Sequence, residues 1–186
     1  MEKVIIKSKF DKKLFTRFLY FNLFRKSVSI YFFIMAAALS IYLAIKTTTS
    51  PDVSGSSITI YWVFSVILLS SLPAFTFGRI NTTVNKFSKE RGESLEIIEL
   101  TKPKIVRFIE GVQGKAVVGW EHFDSIYEYK DYIYMYIDRD RGLVFNKESI
   151  VEGDIGTFRK LAMNNMRPGK KGKIKYFKRF KEESND

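Results

Sequence analysis

The chain has 186 residues, with 31 Lys and Arg against 20 Asp and Glu, one histidine and no cysteine. No disulfide framework, thiolate metal site or cysteine nucleophile is available to it, and the lone His122 excludes a multi-histidine centre. The net charge of +11 points to an acidic partner, nucleic acid or an anionic membrane surface, but two stretches, 27–45 and 53–78, carry no charge at all.

Residues 3–10 alternate Val4, Ile6, Ser8 and Phe10 against mostly charged neighbours, the pattern of an edge strand. Asp11 is placed to cap a helix running to residue 26. Leu14, Phe15, Phe18, Leu19, Phe21 and Leu23 crowd one side of it, with Lys12, Lys13, Arg17 and Asn22 opposite. Such a helix either lies in a membrane interface or forms the first turns of a longer helix packed on a domain.

The apolar run at 28–45 covers about 27 Å as a helix, close to a hydrocarbon core of roughly 30 Å. Arg25, Lys26 and Lys46 can reach the interfaces from its ends. A second run, 58–78, has Tyr61 and Trp62 near one end and Arg79 at the other, with Pro73 expected to kink it. We read these as two uncleaved transmembrane helices, 27–45 and 58–78, joined by an extracytoplasmic loop at 46–57. A signal peptide does not fit, because 26 highly charged residues precede the first run. Eight Lys and Arg in 1–26, and Arg79, Lys86, Lys89 and Arg91 after the second span, place both termini in the cytoplasm of a multi-pass cell-membrane protein. Small residues recur at four-residue spacing, Ala36, Ser40 and Ala44 in one span and Ser70, Ala74 and Gly78 in the other. One stripe suits packing within the hairpin and the other suits a second copy or a membrane-complex partner.

A helical connector over 79–93 ends at Gly92, and a strand-rich cytoplasmic domain follows over 94–166. Runs at 94–100, 104–110, 115–120, 125–130, 132–138 and 142–146 are rich in β-branched and aromatic residues and separated by glycine-bearing turns. Tyr132, Tyr134 and Tyr136 share one strand face and Ile133, Met135 and Ile137 the other, so this strand is expected to be central and covered on both sides. Asp154 is a credible N-cap for a helix with Ile155, Phe158, Leu161, Ala162 and Met166 on one face. The expected fold class is therefore an α+β membrane protein: a two-helix hairpin, then an antiparallel sheet or small barrel with a C-terminal helix plugging one end.

Within this region Trp120 ends a strand, Ile126 and Glu128 follow, 132–137 form an aromatic strand, 143–147 an apolar strand ending in lysine, and Phe158 sits on the helix. This series resembles the YcxB-like family of bacterial membrane proteins, with Asn146 where the family has proline and Ile150 where it has an aromatic residue. The resemblance implies two adjacent spans followed by a pleckstrin-homology-like (PH-like) domain, and it implies no activity. Trp120 and Phe158 are expected to be structural anchors.

No enzyme signature is present and no cofactor is implied. The segment at 167–173 superficially looks like a phosphate-binding loop, but its glycine spacing is wrong and no Ser or Thr follows the lysine. His122 sits in a turn beside Glu121 and Asp124 and reads as a surface residue. The tail, 167–186, holds the clearest local signal: Arg167, Lys170, Lys171, Lys173, Lys175, Lys178, Arg179 and Lys181, interleaved with Ile174, Tyr176, Phe177 and Phe180. Such a segment suits the anionic headgroups of a bilayer better than nucleic acid, the alternative being a solvated tail. Residues 79–166 balance 14 basic against 14 acidic side chains, so the excess charge belongs to the two flanking segments. The expected function is a non-catalytic membrane protein presenting a binding or scaffolding domain at the inner leaflet, or alternatively a regulatory subunit assembled through its spans.

Overall fold

The computed structural model describes residues 2–26, 29–92, 94–138, 141–169 and 172–180. They form two compact units, one made of residues 1–18 and 86–186, the other of 19–85.

The first unit contains two sheets. In the larger, β1 (Lys3–Lys9), β2 (Leu95–Thr101), β3 (Ile105–Ile109), β4 (Ala116–Val118) and β8 (Ile150–Glu152) lie in the order β4-β3-β2-β1-β8. The smaller contains β5 (Ser125–Glu128), β6 (Tyr132–Tyr136), β7 (Gly142–Asn146) and β9 (Tyr176–Lys178) in the order β7-β6-β5-β9. All pairings among the described strands are antiparallel except that of β5 with β9, which is parallel. The described strands do not close into a barrel.

β1 is not the edge strand that its charged flanks suggest. It lies between β2 and β8, and its inward residues Val4 and Ile6 are fully buried. The outward lysines made it look peripheral, but they stay wet above the sheet, Lys3 pairing with Glu99 at 3.0 Å. The strand fits closely beside the turn that follows β8. Gly153 there has φ +80°, and a Cβ on it would come within 2.6 Å of the Lys3 carbonyl oxygen.

Helix α4 (Ile155–Asn165) is capped as its sequence indicates, Asp154 Oδ1 accepting from the Thr157 amide at 2.8 Å. It is not the last element, because β9 follows it. Its apolar face contributes Phe158, Leu161, Ala162 and the adjoining Met166 to a core shared with Val4, Ile6, Ile98 and Leu100 of the larger sheet and Ile126, Ile133, Met135 and Phe145 of the smaller. Trp120 and Phe158 sit at the centre of this core, and the Trp120 indole N–H donates to the Thr101 carbonyl at 2.7 Å.

The opposite face of the smaller sheet is aromatic. Helix α1 (Lys12–Lys26) starts on Asp11, whose Oδ1 accepts from the Lys13 and Leu14 amides at 2.8 and 3.0 Å. It delivers Phe18 onto Tyr134 and Tyr136, with ring centroids 5.3 and 5.0 Å apart. Both tyrosines are buried, as are Ile133 and Met135 on the other side, so β6 is covered on both faces as its composition requires.

In the second unit, α2 (Ser29–Thr49) and α3 (Gly55–Arg91) are long and apolar enough to cross a membrane. α3 runs on through Pro73 and past the expected span end at 78 to Arg91, and Gly92 follows at φ +50° with its amide bonded to the Ser88 carbonyl. Trp62 Nε1 donates to Thr48 Oγ1 at 3.0 Å, joining the two helices at their loop ends.

Phe18→Ala removes the knob under Tyr134 and Tyr136, a large-to-small change expected to cost about 3–5 kcal/mol. Thermal unfolding in detergent should fall by about 10 °C; an unchanged midpoint would mean that α1 does not stabilise the sheet.

Candidate functional site

The inward face of β5 carries Ile126 and then, two residues on, a carboxylate. Glu128 has no exposed surface, and a bare charge there would be prohibitively costly. Three elements supply its partners. Arg159 of α4 donates through Nε to Oε2 at 3.0 Å and through Nη2 to Oε1 at 2.8 Å. Lys147, just after β7, places Nζ 2.8 Å from Oε1. The Tyr176 hydroxyl of β9 donates to Oε2 at 2.6 Å. Burial alone would push the Glu128 carboxyl up, but the hydrogen bonds from Arg159, Lys147 and Tyr176 outweigh it and hold the group at about 2, well below its ordinary 4.5. A carboxylate so held is a structural anion and is not available as a proton acceptor near neutrality.

Tyr176 is pushed upward by its own burial and by the bond to Glu128. Around it the tail lies along β5 as a strand. The Ile126 amide donates to the Lys175 carbonyl at 2.9 Å and the Arg179 amide to the Glu128 carbonyl at 2.8 Å. Phe177 stacks on Tyr127 with centroids 4.9 Å apart, and the Arg179 guanidinium lies over both rings at 5.7 and 5.9 Å. Lys175 Nζ pairs with Asp124, and Lys147 Nζ stands 4.3 Å from the Phe180 ring centroid.

Of the basic tail residues, Lys170, Lys171 and Lys181 lie outside the described residues. Arg167, Lys173, Lys175, Lys178 and Arg179 are exposed, but the stretch from 174 to 180 is folded against the domain and does not simply trail from it. The small-residue stripes are split differently from the expectation. Ser40 and Ala44 are buried, but the residue completing their face is Ala37, with Ala36 exposed one position away. Ser70, Ala74 and Gly78 are all exposed.

A second charge cluster lies where α3 meets β2. Arg91 and Arg107 both contact Glu96, and Arg91 also stacks over Phe87 at 4.8 Å. Burial lowers the Arg91 pKa. The cavity beside it, bounded by Phe10, Asp11, Phe15 and Asn146, holds about 30 Å³, room for a water molecule. A shallow depression of about 320 Å³ opens on the β3–β4 hairpin between Arg107, Phe108, Val112 and Lys115. Among the described residues no three His, Asp or Glu side chains are grouped to hold a metal. His122 is exposed at the end of a short 3-10 helix (Trp120–His122) and not in the expected turn, 3.6 Å from Glu121.

Glu128 as a hub was not deduced from the sequence. The signal was present: it stands in phase with the buried Ile126 on a strand whose other polar residue, Ser125, is also buried. The basic partners lie 19, 31 and, with the tyrosine, 48 residues further along the chain, beyond any local pattern.

Two helices able to cross a membrane, together with an α+β unit of two sheets, point to a membrane protein. Residues 108–162 match the family model described as YcxB-like protein, a stretch that includes Trp120, Glu128, Lys147, Phe158 and Arg159. No curated protein and no solved structure matches the chain.

Removing the buried carboxylate leaves Lys147 and Arg159 facing each other without their anion. Glu128→Gln is therefore expected to cost about 3–5 kcal/mol, read as a lowered denaturation midpoint near pH 7. Because the folded pKa lies below the ordinary one, the wild-type contribution is complete above about pH 4.5 and is lost as the pH falls towards about 2. The stability difference between wild type and variant should be flat from pH 6 to 8 and shrink across that acid window.

Proposed function

We propose that this chain is a non-catalytic integral membrane protein that presents a PH-like binding or scaffolding domain at the inner leaflet of the cell membrane. The observation that carries this reading is strand pairing on either side of the spans. β1 precedes both apolar helices and β2 follows them, yet the two are in register from Lys3 with Thr101 to Lys9 with Leu95. Flanks joined into one sheet belong on one side of a bilayer, and two crossings between them satisfy that requirement. The basic residues of those flanks favour the cytoplasmic side.

The helices supply the surface that lipid would cover: Phe32 and Ile60 are each 67% exposed, Phe75 68%. Two sheets with one amphipathic helix packed against both support the PH-like reading of the domain. The tail supports contact with anionic lipid, since each Lys or Arg near an anionic surface contributes about 1 kcal/mol at physiological ionic strength. A non-catalytic role is supported by the engagement of Glu128 with three partners and by the exposed setting of His122 beside Glu121. The exposed Ser70, Ala74 and Gly78 favour a second reading, in which the spans assemble with a further copy or with a larger membrane complex as a regulatory subunit.

Reporter fusions test the topology. Green fluorescent protein fused after Asp186 should fluoresce and alkaline phosphatase there should be inactive, whereas phosphatase inserted beside Asp52 should be active. Active phosphatase at the C-terminus would overturn the proposal.

A further inference from the structure

We propose that β9 is an exchangeable strand: it closes the β5 edge when latched on Glu128, and it leaves that edge when its basic and aromatic side chains engage an anionic bilayer surface. This rests on the reading that the tail binds anionic lipid, and adds that docking on the domain and binding to lipid exclude each other.

The exclusion follows from which atoms are in use. A basic, aromatic segment holds to a bilayer by setting its rings at headgroup level between its charges. Here the Tyr176 hydroxyl is bonded to Glu128, the Phe177 ring is stacked on Tyr127 and the Phe180 ring faces Lys147. Lys175 pairs with Asp124, and Arg179 lies over the two stacked rings. Tyr176 and Phe180 are partly buried and cannot set their rings among headgroups while they hold the strand to the sheet, although Lys175, Phe177 and Arg179 keep exposed surface there.

The latch is built so that the strand can leave. Loss of Tyr176 takes one donor from Glu128, but the two bonds from Arg159 and the Lys147 ammonium remain. The buried carboxylate stays paired, so departure does not strand a charge in the core. β9 is also lightly held, with three residues paired to one neighbour at a sheet edge. Its connector contains Pro168, Gly169 and Gly172, the last at φ +70°, and turns on itself through bonds from the Gly169 amide to Lys173 and from the Gly172 amide to Gly169. Arg167 and Lys173 are exposed on this connector and open to an anionic surface.

The chain has no cysteine, so Tyr127→Cys with Phe177→Cys, register partners in the parallel pair, reports docking as an oxidative cross-link. The full chain is reconstituted in nanodiscs of phosphatidylcholine and of a phosphatidylcholine–phosphatidylserine mixture. Cross-linking should be rapid in neutral discs and about fivefold slower or more in anionic ones. Added salt, or Lys173→Gln with Lys178→Gln, should bring the anionic rate back towards the neutral one. In parallel, Phe180→Cys bearing an environment-sensitive fluorophore should shift to the blue only in anionic discs. Equal cross-linking in both discs together with that blue shift overturns the exchange and leaves tail–lipid binding standing. Equal cross-linking without the shift removes both. No cross-linking even in neutral discs overturns the docked state.

Discussion

A carboxylate placed on the inward face of a strand must find a proton donor for every oxygen lone pair that water would otherwise satisfy. Glu128 meets this demand with a guanidinium from α4, an ammonium from beyond β7 and a phenol from β9, so one side chain joins four elements of the domain. The arrangement is not needed for stability as such, because apolar residues of similar volume often pack as well as a buried ion cluster. Its value is directional. The planar fork of Arg159 fixes the roll of α4 over the smaller sheet, and the Tyr176 bond fixes the register of a strand that enters parallel to β5 without any hairpin to align it.

The other constraint is coverage of β6. A strand with tyrosines on one face and Ile and Met on the other cannot leave either side open, and different parts of the chain close the two sides. α4 and the larger sheet cover the Ile133 and Met135 face, whereas Phe18 from the N-terminal helix covers Tyr134 and Tyr136. Gly142 belongs to the same contact: a Cβ there would stand 3.2 Å from the Phe18 ring and 2.4 Å from the Met135 carbonyl. The domain is thus built from both flanks of the apolar helices α2 and α3, its strand and aromatic knob coming from before them and the remainder from after them.

How much of this could be read in the sequence depended on the range of the interaction. Elements set by local chemistry were legible: the Asp11 and Asp154 caps, the helix end at Gly92, the apolar runs, six of the nine strands among the described residues, and the two-sided burial of β6. β1 was recognised as a strand, but its place inside the sheet was not, since lysines on the solvent face of a central strand look the same as lysines protecting an edge. β8 and β9 lie outside the predicted strand runs, β8 following β7 after only the short turn at Lys147–Ser149 and β9 disguised by its charge. The Glu128 cluster and the split of the small-residue stripes depend on partners distant in sequence, and a shift of one position, from Ala36 to Ala37, is enough to move a residue from the exposed to the buried face.

The pairing of β1 with β2 also has a consequence for biosynthesis. β1 leaves the ribosome first, but the strand it must join is made only after both apolar helices. At about 5–20 residues per second, several seconds pass between the two events. During that time Val4 and Ile6, destined for a dry core, have no sheet to enter. In the proposed topology the N-terminal segment waits on the side of its synthesis, and its lysines suit it to stay there. Closure of the larger sheet is then a late step, and in the proposed topology the fold of the domain would act as a check on how the two apolar helices have inserted.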